Sequence, residues 1–593
     1  MPTTRLLCLL TVSWVLACGA PEGAPPEKND ERTSIQEEPP PLPESLPTTG
    51  GPSPEPVPRP TPSPQPPPPR PVPEEQRPFV LPPVQQALQE YELTLPPGTW
   101  ERFLADKSTP EQDAIFRCAS ESHPVKVRLR GASARDFPKK SWNVSFTDDT
   151  RFEGRTSLNL VAGYSDASML AEKLSYDLLT AMRLPTPRAK YVRLRINGQY
   201  EGVFLDIEQV NKSFLRTHGF ADTDASIYRA GWKDTELKPR EWKVPYQGDW
   251  VKKTNEKEPD TALDEVLHII NRTPEPELSG ALARHLELEG YLRSMVMDAL
   301  MANNYVEDSE SYFIHDRKTG RWVYVAWDLN NVDARWWYQM PRGPDLQPIY
   351  KHPLFPFTLI DGTMLKRYDE RKTVHPGYLP VFSNLGTRVV MNPELRARLE
   401  ARLEKAMDEL FTVEKLGPYI DGLHALLAPH MEGDPYMDLA KFKQGNAFMK
   451  DFVRLRRAFV LKELERLHAS KPDLVLESLD AREGWVELRN RGDKAVELSG
   501  RVLTTNLRRS IPSLLQSETP ATVAGTVLPA HKLLPGERLR LTSSGLGLTF
   551  ALEGELGLFD GQSVVGMQDL LFYGELPDGK HYERAGDGRW RVR

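Results

Sequence analysis

One stretch of this 593-residue chain decides where it can and cannot fold: 24 of its 54 prolines fall within residues 21–83. Proline lacks a backbone N–H and has a fixed φ, so a segment this dense in it supports neither helix nor sheet ladder. Pro-Xaa-Pro repeats such as those from Pro54 to Pro73 favour polyproline II, and about sixty residues at ~3.1 Å each would reach well over about 100 Å when fully extended. Residues 19–83 therefore read as a disordered tether. Folding is left to the 510 residues that follow, enough for one large domain and one small one.

What precedes the tether has an export pattern. Arg5 is followed by an apolar run over residues 6–17, interrupted only by Thr11 and Ser13. A basic start, a short apolar core and small closing residues make a secretory signal, and the run is too short for the ~20 residues a membrane-spanning helix needs. It ends Val15-Leu16-Ala17-Cys18-Gly19, which resembles the lipobox of bacterial lipoproteins. That resemblance implies cleavage before Cys18, its lipidation, and a protein exported and lipid-anchored in the bacterial cell envelope. Cys8 would leave with the signal, so Cys118 is a lone thiol, expected to be buried rather than catalytic.

Composition removes several function classes. The formal net charge is −7, which argues against a nucleic-acid binder, since such proteins carry a basic footprint. Three cysteines exclude a disulfide scaffold or a thiolate zinc cluster. No Walker A loop, Gly-x-Ser-x-Gly elbow, Cys-x-x-Cys or His-Glu-x-x-His occurs.

The periodicity of residues 84–471 predicts an α+β domain. Alternation at Tyr91/Leu93/Leu95, Val125/Val127/Leu129 and Trp142/Val144/Phe146 predicts strands. Leu170, Leu174, Leu178 and Met182 share one face of a helix expected over 168–182. Asn197-Gly198 between apolar runs predicts a hairpin. Residues 263–302 read as helical with breaks near Pro274 and Gly290, and residues 394–468 as helical with an interruption around Pro429 to Pro435. The charged residues 233–260 read as a solvated insertion or, alternatively, a lid. Residues 472–593 change to short strands, including 484–490, 538–542 and 555–559, and predict a small all-β sandwich.

One arrangement carries chemistry. Arg128-Leu129-Arg130-Gly131-Ala132-Ser133 leads through Pro138-Lys139-Lys140-Ser141 into a strand, and the hairpin Asn197-Gly198-Gln199-Tyr200-Glu201-Gly202 runs on to Glu208. Asp308 precedes the aromatic strand Tyr312-Phe313-Ile314-His315, and a second strand ends at Trp327-Asp328. A strand lysine, an acidic partner and two separated aspartates are the groups phosphoryl transfer uses. The same side chains also occur as strand-edge charges and turn caps.

These pieces, with Asp166-Ala167-Ser168 and the Arg456-Arg457 pair in a closing helix, resemble the CotH family of spore-coat kinases in the family's own order. The resemblance implies an atypical protein-kinase-like fold and transfer of phosphate from ATP, with Mg²⁺, to Ser or Thr of secreted or coat proteins. Carried over, Lys140 is the nucleotide-phosphate lysine, with Lys139 the second choice, and Glu208 is its partner. Asp308 is the catalytic aspartate and Asp328 the metal aspartate, with Asn330 beside it. The sequence departs from the family pattern at Asn330, Ser311 and Ala171-Glu172. A non-catalytic surface lipoprotein acting in binding or envelope assembly therefore stands as the alternative. Residues 472–593 resemble the lamin-tail domain, an immunoglobulin-like β-sandwich, on Gly484-Trp485-Val486-Glu487-Leu488, Pro535-Gly536-Glu537 and Gly588-Arg589-Trp590. This implies an accessory binding or spacing module.

Overall fold

The computed structural model describes residues 77–593 except 132, 148–149, 231–236, 238–249, 304–310, 335–349, 356–383, 470–471, 507–522, 524 and 562–565. All described residues belong to one unit of the chain, Pro73–Arg593. Cys18, most of the tether, Asp308 and most of the charged insertion lie outside them. Among the described residues helices and sheets are mixed, the α+β class expected, and no helix is long and apolar enough to cross a membrane.

The first element is a closed barrel. It comprises β1 (Gln89–Thr94), β2 (Gln112–Cys118), β3 (Glu121–Leu129), β4 (Trp142–Phe146), β5 (Ser157–Val161), β6 (Ala189–Ile196) and β7 (Gln199–Ile207), in the order β1-β2-β3-β4-β5-β7-β6. All neighbours are antiparallel except β1 and β6, whose parallel pairing (Tyr91 beside Leu194) closes it. Period-two alternation turns Leu93, Val127, Trp142, Leu160 and Leu194 inward. Helix α1 (Thr99–Ala105) plugs one side, with Trp142 stacked on Trp100 and edge-on to Phe103. Cys118 is a free, buried thiol in this core, and burial raises its pKa.

The β6–β7 turn follows from its residues. Asn197 and Gly198 have φ of 50° and 81°, the left-handed pair of a type I′ hairpin. Helix α2 (Ala171–Ala181) starts later than the expected residue 168, because residues 166–170 form a turn ahead of it. Asp166 accepts from the Ser168 N–H and hydroxyl and, through its other oxygen, from the Ala171 N–H at 2.9 Å. The expected face of Leu170, Leu174, Leu178 and Met182 is wholly buried.

Beyond α3 (Lys212–Thr217), a small sheet of β8 (Ser226–Arg229), β9 (Val251–Lys252), β10 (Ser311–Asp316) and β11 (Arg321–Ala326) runs in the order β11-β10-β8-β9. Around it lie α4 (Thr261–Arg272), α5 (Leu278–His285), α6 (Leu288–Met301), α7 (Asn384–Met391), α8 (Pro393–Glu409), α9 (Val413–Met431) and α10 (Leu439–Ala469). Two expected breaks move. Gly290 does not interrupt a helix; it sits in the first turn of α6, where the Glu287 carboxylate accepts its N–H, and the break falls at extended Leu286. Pro429 lies inside α9, and the interruption follows it.

The C-terminal strands form two main sheets. One has the order β18-β13-β12-β21-β22, from β12 (Leu474–Asp480), β13 (Trp485–Asn490), β18 (Arg538–Thr542), β21 (Tyr582–Arg584) and β22 (Trp590–Val592). The other, β16-β15-β19-β20, uses β15 (Val502–Thr504), β16 (Thr526–Val527), β19 (Gly554–Phe559) and β20 (Met567–Tyr573), and β14 (Val496–Glu497) pairs with β17 (Lys532–Leu533). Leu476, Val486, Leu488, Leu503, Leu556 and Leu571 fill one core drawn from both sheets. Other residues of the second sheet, among them Phe559, Leu570 and Phe572, join the core of the helical body. The Arg388 guanidinium lies 4.0 Å over the Phe572 ring, and Arg272 pairs with Glu555.

Candidate functional site

The aspartate at the end of β11 occupies an unusual backbone position. Asp328 has φ of 52°, in the left-handed region that few non-glycine residues adopt and that costs of order 1–3 kcal/mol. The bend turns the chain from β11 into a short 3₁₀ turn, Leu329–Ala334. There the Asn330 side-chain amide donates to an Asp328 carboxylate oxygen. Asp328 and Asn330, both expected at a metal, are therefore brought together. Among the described residues no cluster of three or more His, Cys, Asp or Glu forms a metal-sized group. Asp308 falls in 304–310, between α6 and β10, outside the described residues.

Three elements meet at this bend. The Arg130 guanidinium, just past β3, lies 5.8 Å from the Trp327 ring centroid. Tyr312 on β10 meets the same ring edge-on, and its hydroxyl accepts from Gln209 at 3.2 Å. Helix α2 packs on the 3₁₀ turn and carries Glu172 and Tyr176, one helical turn apart and both buried. Burial pushes the Tyr176 phenol well above its usual pKa, and the negative charges of Glu172 and Asp328 push it further, so it remains an O–H donor. That hydroxyl and the Trp327 indole N–H have no hydrogen-bond partner among the described residues. Leaving a buried donor unpaired costs about 1–3 kcal/mol, and native structures tolerate this chiefly where a ligand, water or ion completes the bond.

The expected Lys140–Glu208 pair is not formed. Lys140 donates to the carbonyls of Arg135 and Phe137 at 2.8 and 2.7 Å, bracing the loop before β4. Glu208 accepts from His218 at 2.8 Å, Thr217 at 3.0 Å and the Arg188 N–H at 3.2 Å. Each side chain is already hydrogen-bonded locally, Lys140 to backbone carbonyls and Glu208 to its own neighbours, and no contact joins the two. The second-choice lysine is the buried one. Lys139 donates to Asp434 and to the Val203 carbonyl, both at 2.7 Å, and sits over the Phe204 ring. Burial lowers its pKa, an effect Asp434 opposes.

The sequence motif that contains Arg130 assigns it no role, Glu172 enters the sequence only as a departure from the family pattern, and no motif marks Tyr176. Glu172 and Tyr176, four residues apart, share one helix face, but Lys173, Ser175, Asp177 and Thr180 make α2 polar elsewhere too, so spacing alone gives no signal.

The model of the CotH kinase protein family matches residues 127–460. This is more than half of the chain, and the chain belongs to that family. It is 25% identical over 362 residues to the inner spore coat protein H of Bacillus subtilis (strain 168), covering 60% of this chain and 91% of that relative. It is also 20% identical over 347 residues to the inner spore coat protein H-like protein of the same organism, covering 58% and 90%.

Proposed function

We propose that this protein is an exported, lipid-anchored kinase that transfers phosphate from ATP to Ser or Thr side chains of secreted or surface proteins. The observation that carries this reading is the Asp328–Asn330 bend, set beside the unpartnered donors of Tyr176 and Trp327. The donor set suits Mg²⁺ and phosphate. A carboxylate and a neutral amide oxygen are the hard ligands Mg²⁺ takes, and buried O–H and N–H groups with a guanidinium nearby suit phosphate oxygens.

ATP with Mg²⁺ would supply the activated phosphoryl group. The chain's own part is positional and electrostatic, which is most of what phosphoryl transfer asks of a protein. Asp328 and Asn330 would hold the cation. Arg130, whose guanidinium pairs with no carboxylate among the described residues, would offset phosphate charge in place of the Lys140–Glu208 pair. Asp308 would take the proton of the acceptor hydroxyl. The anchor at Cys18 and the tether would keep the domain in the cell envelope at a distance from the membrane. The C-terminal strands would act as a lamin-tail-like accessory module, and the relatives' name, spore coat protein, suits a coat or surface substrate.

A second reading has its own support. Asn330 in place of a carboxylate, with Lys140 and Glu208 engaged elsewhere, suits a non-catalytic relative that binds or assembles envelope proteins. Calorimetry separates the two. The kinase reading expects ATP binding that requires Mg²⁺ and is lost in Asp328→Ala, and the non-catalytic reading expects no Mg²⁺-dependent binding.

A further inference from the structure

Glu477 lies on the solvent side of the five-stranded C-terminal sheet, yet its side chain is only 1% exposed because three guanidiniums cover it. Arg489 donates to one carboxylate oxygen at 3.0 Å, Arg538 forms an ion pair with that same oxygen at 3.0 Å, and Arg491 donates to the other at 2.8 Å. The register brings the cations together: Arg489 on β13 stands directly beside Arg538 on β18. Arginine stays charged at every working pH, so one carboxylate faces three cations and the cluster keeps an excess of two positive charges. The neighbouring Glu487 pairs with Arg538 at 3.8 Å, but Arg540 joins it at 2.9 Å as a fourth cation, so four guanidiniums face two carboxylates and the excess stays at two.

These arginines line an open groove of about 730 Å³, within the ~300–1,000 Å³ range of ligand sites. Farther along it the charges are matched, Arg591 by Asp587 and Arg593 by Glu583, each at 3.0 Å. The uncompensated charge is therefore local and amounts to one dianion.

We propose that this groove binds a phosphoserine or phosphothreonine displayed on a protein chain. A phosphate monoester carries about −1.5 to −2 charges at pH 7 and three acceptor oxygens, which matches the excess at Glu477, and guanidinium forks pair with it bidentately. The buried Glu477 carboxylate holds the forks in place before the ligand arrives. A polynucleotide suits the groove poorly, because beyond the cluster the charges are already matched and leave no excess to offset a continuous run of phosphates. The groove's length beyond the cluster suits the flanking residues of a peptide. The inference goes beyond the kinase reading, and measured without nucleotide it stands or fails independently of phosphoryl transfer.

The test is calorimetric titration of the full chain with a short synthetic peptide carrying one phosphoserine, at fixed salt and without ATP. Binding should weaken at least about tenfold for the unphosphorylated peptide, and by a similar factor for Arg491→Gln/Arg538→Gln, titrated below its melting temperature, which should fall because Glu477 loses two of its three cations. Arg482→Gln, outside the groove and paired with Glu575, should bind as wild type. If the double variant does not fold, Arg538→Gln alone, at a 45% exposed side chain, carries the comparison. Absence of binding, equal binding of the unphosphorylated peptide, or an unchanged affinity in the folded variants would overturn the proposal. So would inorganic phosphate competing at the peptide's own concentration, which would make the site one for a free anion, or tighter binding of duplex DNA.

Discussion

The ammonium of Lys139 and the carboxylate of Asp434, 295 residues apart, meet at 2.7 Å with both side chains wholly out of solvent. The same carboxylate oxygen accepts the Val203 N–H, and the other accepts that of Tyr436. One acid thus ties the barrel to the segment joining α9 and α10. Gly202 makes this approach possible: its φ is 100°, and a Cβ there would run into the Asp434 carboxylate.

Removing one member of this pair leaves an uncompensated buried charge. Asp434→Ala is expected to lower stability by about 3–5 kcal/mol in urea unfolding, while replacing both residues with apolar ones of similar volume should recover most of that loss. Gly202→Ala should also destabilise, through backbone strain and displacement of the same carboxylate.

Tyr176→Phe removes a buried hydroxyl that has no partner among the described residues. Its melting temperature should therefore stay at the wild-type value or rise slightly, since no hydrogen bond is lost in the fold. Affinity for ATP with Mg²⁺ should fall, by about tenfold for one lost hydrogen bond to a charged group. A large drop in stability with no change in affinity would assign the hydroxyl to the fold.

Asn330→Asp places a second carboxylate beside Asp328. Added charge at an oxygen-ligated site strengthens divalent-cation binding, so Mg²⁺-dependent ATP affinity should rise. Without a cation, the two adjacent carboxylates should slightly lower stability. Titration of Mg²⁺ against both proteins, with melting curves in chelator, checks both signs.

Residue adjacency explains much of what sequence could and could not show. The Asn197-Gly198 hairpin and the buried face of α2 rest on neighbours within a few positions, and both are as expected. Closure of the barrel by parallel pairing of β1 with β6 joins segments about a hundred residues apart, and no local pattern encodes it. The choice between Lys139 and Lys140 shows the same limit. The two are adjacent, and only strand geometry and an acid 295 positions away bury one and leave the other to bind loop carbonyls. Asp328 and Asn330 were legible as a pair because they share one bend. Arg130 and Tyr176, which come to that bend from β3 and α2, were not.

Glu208 gives the fold a dependence on acid. Burial alone would raise its carboxyl pKa, but His218, the Arg188 N–H and the Thr217 hydroxyl outweigh that and hold it below its ordinary 4.5. A depressed folded-state value means the contribution is fully present above the ordinary value and is lost as pH falls through the folded one. Urea midpoints of wild type and Glu208→Gln should therefore differ by a constant amount near neutrality and converge from about pH 5 downward.

The most direct measurement is phosphate transfer from labelled ATP by the purified protein, to itself and to a Ser/Thr-rich substrate, in Mg²⁺ and in chelator. Wild type should label the acceptor only with Mg²⁺. Asp308→Ala and Asp328→Ala should each reduce labelling to background while keeping the wild-type melting temperature. Equal labelling by wild type and both variants, or none by wild type under conditions where it binds ATP, would contradict the catalytic account.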